Sequence, residues 1–266
     1  MTTDLITQID GPVARITINR PEVRNAINGK VIGAMRAFLG TVASDPAVRC
    51  VVLCGSGEHF SAGGDVKGFS QTLQQSPQQR SEEFAGKVNA ISDFFTQLAQ
   101  LPQPLVVKVR GAVAGAALGM VAASDFALCA AGAYFIAAQT LIGGSPDGAI
   151  SYYLPRLIGP RRAKEMTLLG QRMTATEAAA TGLVNRVVPD AELDAAVEEL
   201  VARICAAPAT SARRTKALVD HSLGNTMAQQ FQMEAESFAA CAATDDFVEG
   251  VSAFVEKRKA VFNRKR

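Results

Sequence analysis

Short apolar segments alternate with longer amphipathic segments through the first half of the chain, and this alternation limits the fold more than any other feature. Val48–Cys54 and Leu105–Val109 are apolar runs that are too short for helices, so they indicate buried strands. Apolar residues at mixed three- and four-residue spacing indicate helices near Ala26–Ala43 and Ser81–Gln100. Strands that alternate with helices predict an α/β protein with parallel strands and crossover helices.

The two ends of the chain differ from this middle part. Leu5–Ile9 and Val13–Ile18 are apolar-rich runs separated by turn residues, and they predict an opening hairpin. After residue 190 the pattern is helical, with no candidate strand. We therefore expect a core of residues 1–190 and a helical C-terminal segment of residues 191–266. The glutamine-rich stretch Gln71–Gln79 is predicted to be a surface loop.

Composition excludes several classes of function. The chain has 27 basic and 25 acidic residues, a balance that argues against nucleic acid as the main partner. Five scattered cysteines without a CxxC pair, together with two distant histidines, argue against a metal site and a disulfide framework. The first residues lack the apolar stretch of a signal peptide, and the uncharged stretch Phe126–Pro146 is interrupted by glycines and polar residues. We expect a cytoplasmic protein without a membrane span.

Generic catalytic motifs do not explain the chain, but two stretches of small residues stand out. Gly143–Asp147 misses the nucleophile elbow of serine hydrolases, because an aspartate stands where the final glycine is required. Phe60–Asp65 follows a predicted strand, and Gly111–Gly119 joins a strand to a helix. Small residues let a ligand approach backbone N–H groups, although a flexible loop and tight helix packing would have the same composition.

The order and spacing of these stretches carry a resemblance. Four segments in sequence are similar to the crotonase (enoyl-CoA hydratase/isomerase) superfamily: Phe60–Lys67, Pro104–Gly111, Ala114–Gly119 and Ala123–Asp125. The similarity continues through Arg20–Ala26, Leu154–Gly159, Ala178–Val184 and Ser252–Lys259. The resemblance implies a spiral of ββα turns with a helical C-terminal trimerisation segment, assembled as a homotrimer or hexamer. It also implies an acyl-CoA substrate and no separate cofactor, because coenzyme A is part of the substrate.

The same resemblance assigns roles to particular residues. The thioester oxygen would accept hydrogen bonds from the backbone N–H groups of Ala62 and Ala116, an oxyanion hole for a developing enolate. The implied coenzyme A contacts are Arg24, Ala26, Ala62, Gly63, Gly64, Asp65, Phe254 and Lys257. Phe254 and Lys257 would belong to a neighbouring subunit.

The residues available for proton transfer favour isomerisation over hydration. Hydratases of the family hold a water molecule between two glutamates, and these positions fall on Gly119 and Gln139. Ser145–Gly148 is similar to the segment that carries the catalytic aspartate in isomerase members, which places Asp147 in that role. The same four residues also fit a type I turn. The leading hypothesis is an enoyl-CoA isomerase that uses Asp147. A hydratase in which Gln139 and Asp147 hold a water, and a catalytically silent acyl-CoA-binding scaffold, are the alternatives.

Overall fold

The centre of the protein, seen in a computed structural model that describes residues 3–263, is a six-stranded sheet. The described strands are β1 (Leu5–Asp10), β2 (Val13–Ile18), β3 (Cys50–Gly55), β4 (Leu105–Val109), β5 (Ala112–Ala114), β6 (Phe126–Ala130), β7 (Tyr134–Ile136), β8 (Met173–Thr174) and β9 (Arg186–Val188). The large sheet has the order β1-β2-β3-β4-β6-β9, and its neighbouring strands are parallel except for the β1–β2 hairpin. The predicted α/β class and the opening hairpin are confirmed.

A second, smaller sheet lies beside the first and makes the ββα repeat visible. It has the order β5-β7-β8, so consecutive strand pairs such as β4 with β5 and β6 with β7 divide between the two sheets. Two parallel bridges, Ile27 with Gly64 and Ser61 with Val113, bring further loops alongside this sheet. The result is the ββα spiral that the resemblance predicts, with the small-residue stretches gathered on the second sheet.

Eleven α-helices within the described residues complete the fold. They are α1 (Gly29–Ser44), α2 (Val66–Phe69), α3 (Pro77–Ala99), α4 (Ala116–Ala122), α5 (Ile150–Ile158), α6 (Pro160–Leu169), α7 (Ala175–Thr181), α8 (Leu193–Ala206), α9 (Ala209–Ser222), α10 (Met227–Ala242) and α11 (Asp245–Val255). Between residues 3 and 263, no helix has both the length and the apolar character that crossing a bilayer requires. The cytoplasmic location stays a prediction.

Two helix starts differ from the sequence-based bounds, and side-chain caps explain both. α1 begins at Gly29 rather than Ala26 because Asn28 accepts a hydrogen bond from the Val31 N–H. α3 begins at Pro77 because Ser76 and Gln79 form a reciprocal capping box. The end of the predicted loop Gln71–Gln79 is therefore helical, and that prediction was wrong from residue 77 onward.

The large sheet is covered on both faces. One face packs against α1, α3 and α4 in the main hydrophobic core, whose largest fully buried side chains include Phe60, Phe94, Phe135 and Met120. The other face packs against α8, with Leu193 and Val197 among the buried residues of that layer. The described chain beyond residue 190 is helical, but α8 is packed on the core. The division into two units at residue 190 stays a prediction.

An ion-pair cluster holds the start of α8 against the sheet. The Asp194 carboxylate accepts hydrogen bonds from Lys108 at 2.7 Å and from Arg110 at 3.1 Å, and these contacts lower its pKa to about 2. A pKa below the ordinary value means that this stabilisation is present above about pH 4 and is lost as the pH falls through about 2.

We expect Asp194→Asn to flatten the pH dependence of unfolding between about pH 4 and pH 2. The side chain is 61% exposed, so water screens the pairs and the loss above pH 4 should be ~1 kcal/mol or less. Urea denaturation of both proteins at several pH values measures the effect. Parallel curves over the whole range would show that the cluster contributes no pH-dependent stability.

The five cysteines are free thiols, as the sequence predicts. Burial raises the pKa of the Cys50 thiol to about 12 and that of Cys129 to about 11, because a thiolate would be poorly solvated there. Both side chains therefore act as small apolar groups of the core.

Candidate active site

A cavity of about 430 Å³ lies between α1, α2, α3 and α4. Its apolar walls are formed by Ile27, Ile32, Phe69, Phe84, Val88, Ile91, Phe95 and Met120. Gly64, Asp65, Ala116 and Asp147 also line it. These four residues, all predicted as site residues, come from three distant parts of the sequence and meet at one cavity. Its walls suit an apolar acyl group.

The first available backbone donor is the N–H of Ala116, the first residue of α4. The first N–H groups of a helix have no intrahelical partner, and among the described residues no acceptor bonds this nitrogen. Gly115, just before it, has a φ of 53°, a left-handed conformation that glycine adopts without strain. The turn at Gly115 therefore leaves the Ala116 N–H free beside the cavity.

The prediction of Ala62 as the second donor is wrong. Its N–H already donates to the Arg24 carbonyl at 2.8 Å, so it is not available to a substrate. The neighbouring Gly63 N–H donates to the Ser61 hydroxyl at 3.1 Å. The Gly64 N–H has no partner among residues 3–263, and Gly64 lines the cavity. Gly64 is the residue of this loop that presents a free donor.

Strand-like pairing explains why Gly64 is the free position. The Ile27 N–H donates to the Gly63 carbonyl at 2.7 Å, and the Asp65 N–H donates to the Ile27 carbonyl at 3.0 Å. In a parallel bridge of this kind the residue between the two bonds directs its own N–H to the other side. The Gly63 and Gly115 backbones also approach closely, since a Cβ built on Gly115 would lie 3.8 Å from the Gly63 Cα. Gly64 and Ala116, which carry the two free N–H groups, directly follow these two neighbouring glycines in the chain.

A buried asparagine that the sequence analysis did not identify holds the loop at residues 24–26 in place. Asn25 is fully buried and donates to the carbonyls of Ser56 at 2.9 Å and His59 at 2.7 Å. It and Arg24 both have left-handed φ values, of 56° and 53°. This conformation directs the Arg24 carbonyl onto Ala62. Asparagine is enriched among non-glycine residues with positive φ, and that preference was the available signal.

The remaining predicted coenzyme A residues divide into two groups. Arg24, Ala26, Gly63 and Asp65 lie in the paired loops just described, where Asp65 accepts from Arg20 at 3.3 Å. Phe254, 86% exposed, lines a separate cavity of about 1130 Å³ formed by α9, α10 and α11. One chain therefore does not bring Phe254 to the active-site cavity, and its contact with coenzyme A, like that of Lys257, stays a prediction.

Exposed apolar side chains on the last helices support self-association, since large exposed apolar surfaces mark interaction sites. They include Val219, Leu223, Met227, Phe231, Phe238, Val248, Val251 and Phe254. The homotrimer or hexamer stays a prediction of the resemblance.

Asp147 lies in a turn between the Ala138–Ile142 single-turn helix and α5. Its side chain is half-buried and lines the cavity, and its Oδ1 accepts a hydrogen bond of 2.8 Å from Gln139 Nε2. The next two residues, Gly148 and Ala149, both have left-handed φ values, of 62° and 60°. A left-handed alanine is uncommon, and such strain persists where the surroundings fix the backbone. The turn thus holds the carboxylate at the cavity wall.

Gly119, in α4, stands at the position that the resemblance assigns to the first glutamate of the hydratases. A Cβ built on this glycine would overlap the carbonyl oxygen of Gly148 and would lie 3.1 Å from the Phe95 ring. The turn that carries Asp147 therefore fills the space in which a longer side chain would stand. The lack of a carboxylate at position 119 and the position of the Asp147 turn therefore have one cause, the close packing of Gly119 against Gly148.

Comparisons with known proteins identify the family of this chain. The family model described as "Enoyl-CoA hydratase/isomerase" matches residues 8–265. The chain is 30% identical over 262 residues to a trans-2-decenoyl-[acyl-carrier-protein] isomerase of Streptococcus mutans, covering 98% of both chains. It is 31% identical over 260 residues to a crotonyl-CoA hydratase of Syntrophomonas wolfei, covering 97% of both.

Solved structures show the same fold. An enoyl-CoA hydratase from Polaromonas superposes with a TM-score of 0.90 at 27% identity, covering 97% of this chain and 99% of that one. The relative named as an isomerase and the one named as a hydratase thus have similar sequence identity to this chain. Identity alone does not separate the two activities. The family match over nearly the whole chain, the ββα spiral and the acyl-sized cavity together place this protein in the enoyl-CoA hydratase/isomerase family, the crotonase superfamily.

Proposed function

We propose that the protein is an acyl-CoA double-bond isomerase in which Asp147 moves the proton and the N–H groups of Gly64 and Ala116 bind the thioester oxygen. The observation that carries the proposal is the packing of the Asp147 turn against Gly119. It places one carboxylate at an apolar cavity and leaves no room for a second one at the hydratase position. Asp65 also lines the cavity, but it is paired with Arg20.

Isomerisation needs a single group that removes and returns a proton. Asp147 would take a proton from C2 of a 3-enoyl thioester, and the C–H electrons would move into the thioester to form a dienolate. The negative charge would lie on the thioester oxygen, where two fixed N–H donors stabilise it. When the carbonyl re-forms, the double bond moves to C2–C3 and C4 takes the proton back from Asp147. No atom is gained or lost, and no cofactor enters the cycle.

A hydratase is the second candidate, and one observation favours it. The Oε1 atom of Gln139 is buried and has no hydrogen-bond partner among the described residues, so it could accept from a water molecule beside Asp147. Adding water still requires a base for the O–H proton and an acid for the carbon. A neutral amide supplies neither, so Asp147 would have to perform both steps.

Incubation of the protein with a 3-enoyl-CoA in deuterated water tests the proposal. We expect a 2-enoyl-CoA product with deuterium at C4, or label at C2 of recovered substrate, detected by mass spectrometry and NMR. A 3-hydroxyacyl-CoA product would instead identify a hydratase. Binding of the thioester without any conversion or exchange would identify a silent acyl-CoA-binding scaffold.

Replacing Ala116 with proline should remove one oxyanion donor and retain the helix. Proline is tolerated at the first position of a helix, where it lacks only an N–H that the helix does not use. We expect kcat to fall about 10²- to 10³-fold, the usual effect of losing one such donor. Ala116→Ser retains the N–H and is the control for a changed side chain. Equal losses in the two variants would show that the N–H has no special role.

A further inference from the structure

Among the described residues, Gln139 is the one that hydrogen-bonds the carboxylate of Asp147. Its Nε2 donates to Asp147 Oδ1 at 2.8 Å, and no other described side chain or backbone N–H bonds this carboxylate. A hydrogen bond to an ionised acceptor is stronger than one between neutral groups. The other charged side chains at the cavity are already paired: Asp65 with Arg20, Arg36 with Asp93, and Lys87 with Glu83. A neutral amide, rather than a cation, therefore holds the candidate base.

The direction of the Gln139 amide is set by Asp147. The Oε1 atom on the other side of the amide is buried and unbonded within residues 3–263, so no second contact there fixes the orientation. A reversed amide would place Oε1 against a carboxylate oxygen, and two acceptors at that distance repel while Asp147 is ionised. The backbone of Gln139 is fixed independently, since its carbonyl accepts from the Gly144 N–H at 2.9 Å.

We infer that Gln139 is a positioning residue for Asp147, an inference that rests on the proposed isomerase function. By occupying Oδ1, the amide leaves Oδ2 to take the proton from C2 and deliver it to C4. By donating to the carboxylate, it also holds the candidate base at one position against the cavity wall. The position at which hydratases carry their second glutamate would thus have become a support for a base on the adjacent turn.

Two substitutions test this role by different means. Gln139→Met keeps the length of the side chain and removes the donor, while Gln139→Glu keeps its shape and replaces the donor with an acceptor. For Gln139→Met we expect kcat to fall about 10- to 100-fold, the range for losing a hydrogen bond to a charged group, with KM changed less than about twofold. Gln139→Glu should lower kcat at least as much, because its carboxyl group replaces the donor with an acceptor that repels the carboxylate of Asp147.

A second measurement does not depend on turnover. Carboxyl-carbon NMR of protein labelled with ¹³C-aspartate, recorded at one fixed pH, reports the surroundings of the Asp147 carboxylate, and the resonance that disappears in Asp147→Asn assigns it. We expect this resonance to move in Gln139→Met and in Gln139→Glu, because both substitutions remove the N–H that bonds Oδ1. If the wild-type protein makes no isomer but the resonance moves, the proposed function fails and the contact between Gln139 and Asp147 is supported.

Two results would overturn the inference. An Asp147 resonance that is the same in the wild type and both variants would show that the amide does not contact the carboxylate. A loss of kcat/KM that comes from KM alone would mean that Gln139 acts in substrate binding and not on the base. If Gln139→Met does not fold, Gln139→Glu still tests the inference, because glutamate and glutamine have nearly the same volume.

Discussion

Replacing Asp147 with asparagine should lower the rate of double-bond isomerisation by about 10²- to 10⁴-fold, the usual contribution of a positioned general acid–base group. Asparagine has the shape of aspartate and its Oδ1 can still accept from Gln139, so the turn should keep its conformation. Binding of the thioester should change little, because the proposed oxyanion donors belong to Gly64 and Ala116. Single-turnover kinetics with a 3-enoyl-CoA and calorimetric titration with a non-reactive acyl-CoA separate the two effects.

Asp10→Asn is the matched control for this variant. It makes the same chemical change at an exposed position of β1, at the edge of the large sheet, and should leave turnover at the wild-type level. Turnover of Asp147→Asn within a few-fold of the wild type would remove Asp147 from the proton transfer. A loss of affinity equal to the loss of rate would make it a binding group instead.

Replacing Gly119 with alanine should disrupt stability and activity together. The added Cβ would overlap the Gly148 carbonyl oxygen, which is a backbone atom, so either α4 or the Asp147 turn must shift. Overpacking of this kind costs about 1–3 kcal/mol of unfolding free energy. A shift of the turn also moves the carboxylate relative to the free N–H of Ala116. Urea denaturation and the isomerase assay measure the two losses.

Gly86→Ala shows what the same change does where space is available. Gly86 lies inside α3, and a Cβ built on it meets no atom within 4 Å. Alanine favours a helix more than glycine, so we expect this variant to be about 0.5–1 kcal/mol more stable than the wild type. Wild-type stability and turnover in Gly119→Ala would show that the contact between α4 and the turn is loose.

Local sequence patterns predicted much of the fold. The buried strands β3 and β4 and the β1–β2 hairpin are visible as apolar runs, because each forms from contiguous residues with one clear periodicity. The start of α3 was placed too late, although Ser76 and Gln79 form a capping-box pattern that the sequence contains. The three-residue strand β5 carries too few residues for any periodicity to be detected.

The site was predicted less completely than the fold. Asp147 and Ala116 were placed by resemblance, and both line the cavity. The prediction of Ala62 as a donor was wrong because a donor is free only if no other segment bonds it. That depends on the bridge between Ile27 and Gly64 and on the Arg24 carbonyl, contacts between residues more than thirty positions apart. Spacing within one segment carries no information about such pairing.

The contact between Gly119 and the backbone of Gly148 also determines the order in which this scaffold could change its chemistry. A glutamate introduced at position 119 would meet main-chain atoms before it could hold a water molecule. The turn at residues 145–149 would first have to be rebuilt along another path, and the new acid could follow only afterwards. Introducing a glutamate at position 119 is therefore a two-stage change, and directed-evolution libraries confined to that position should yield poorly folded chains.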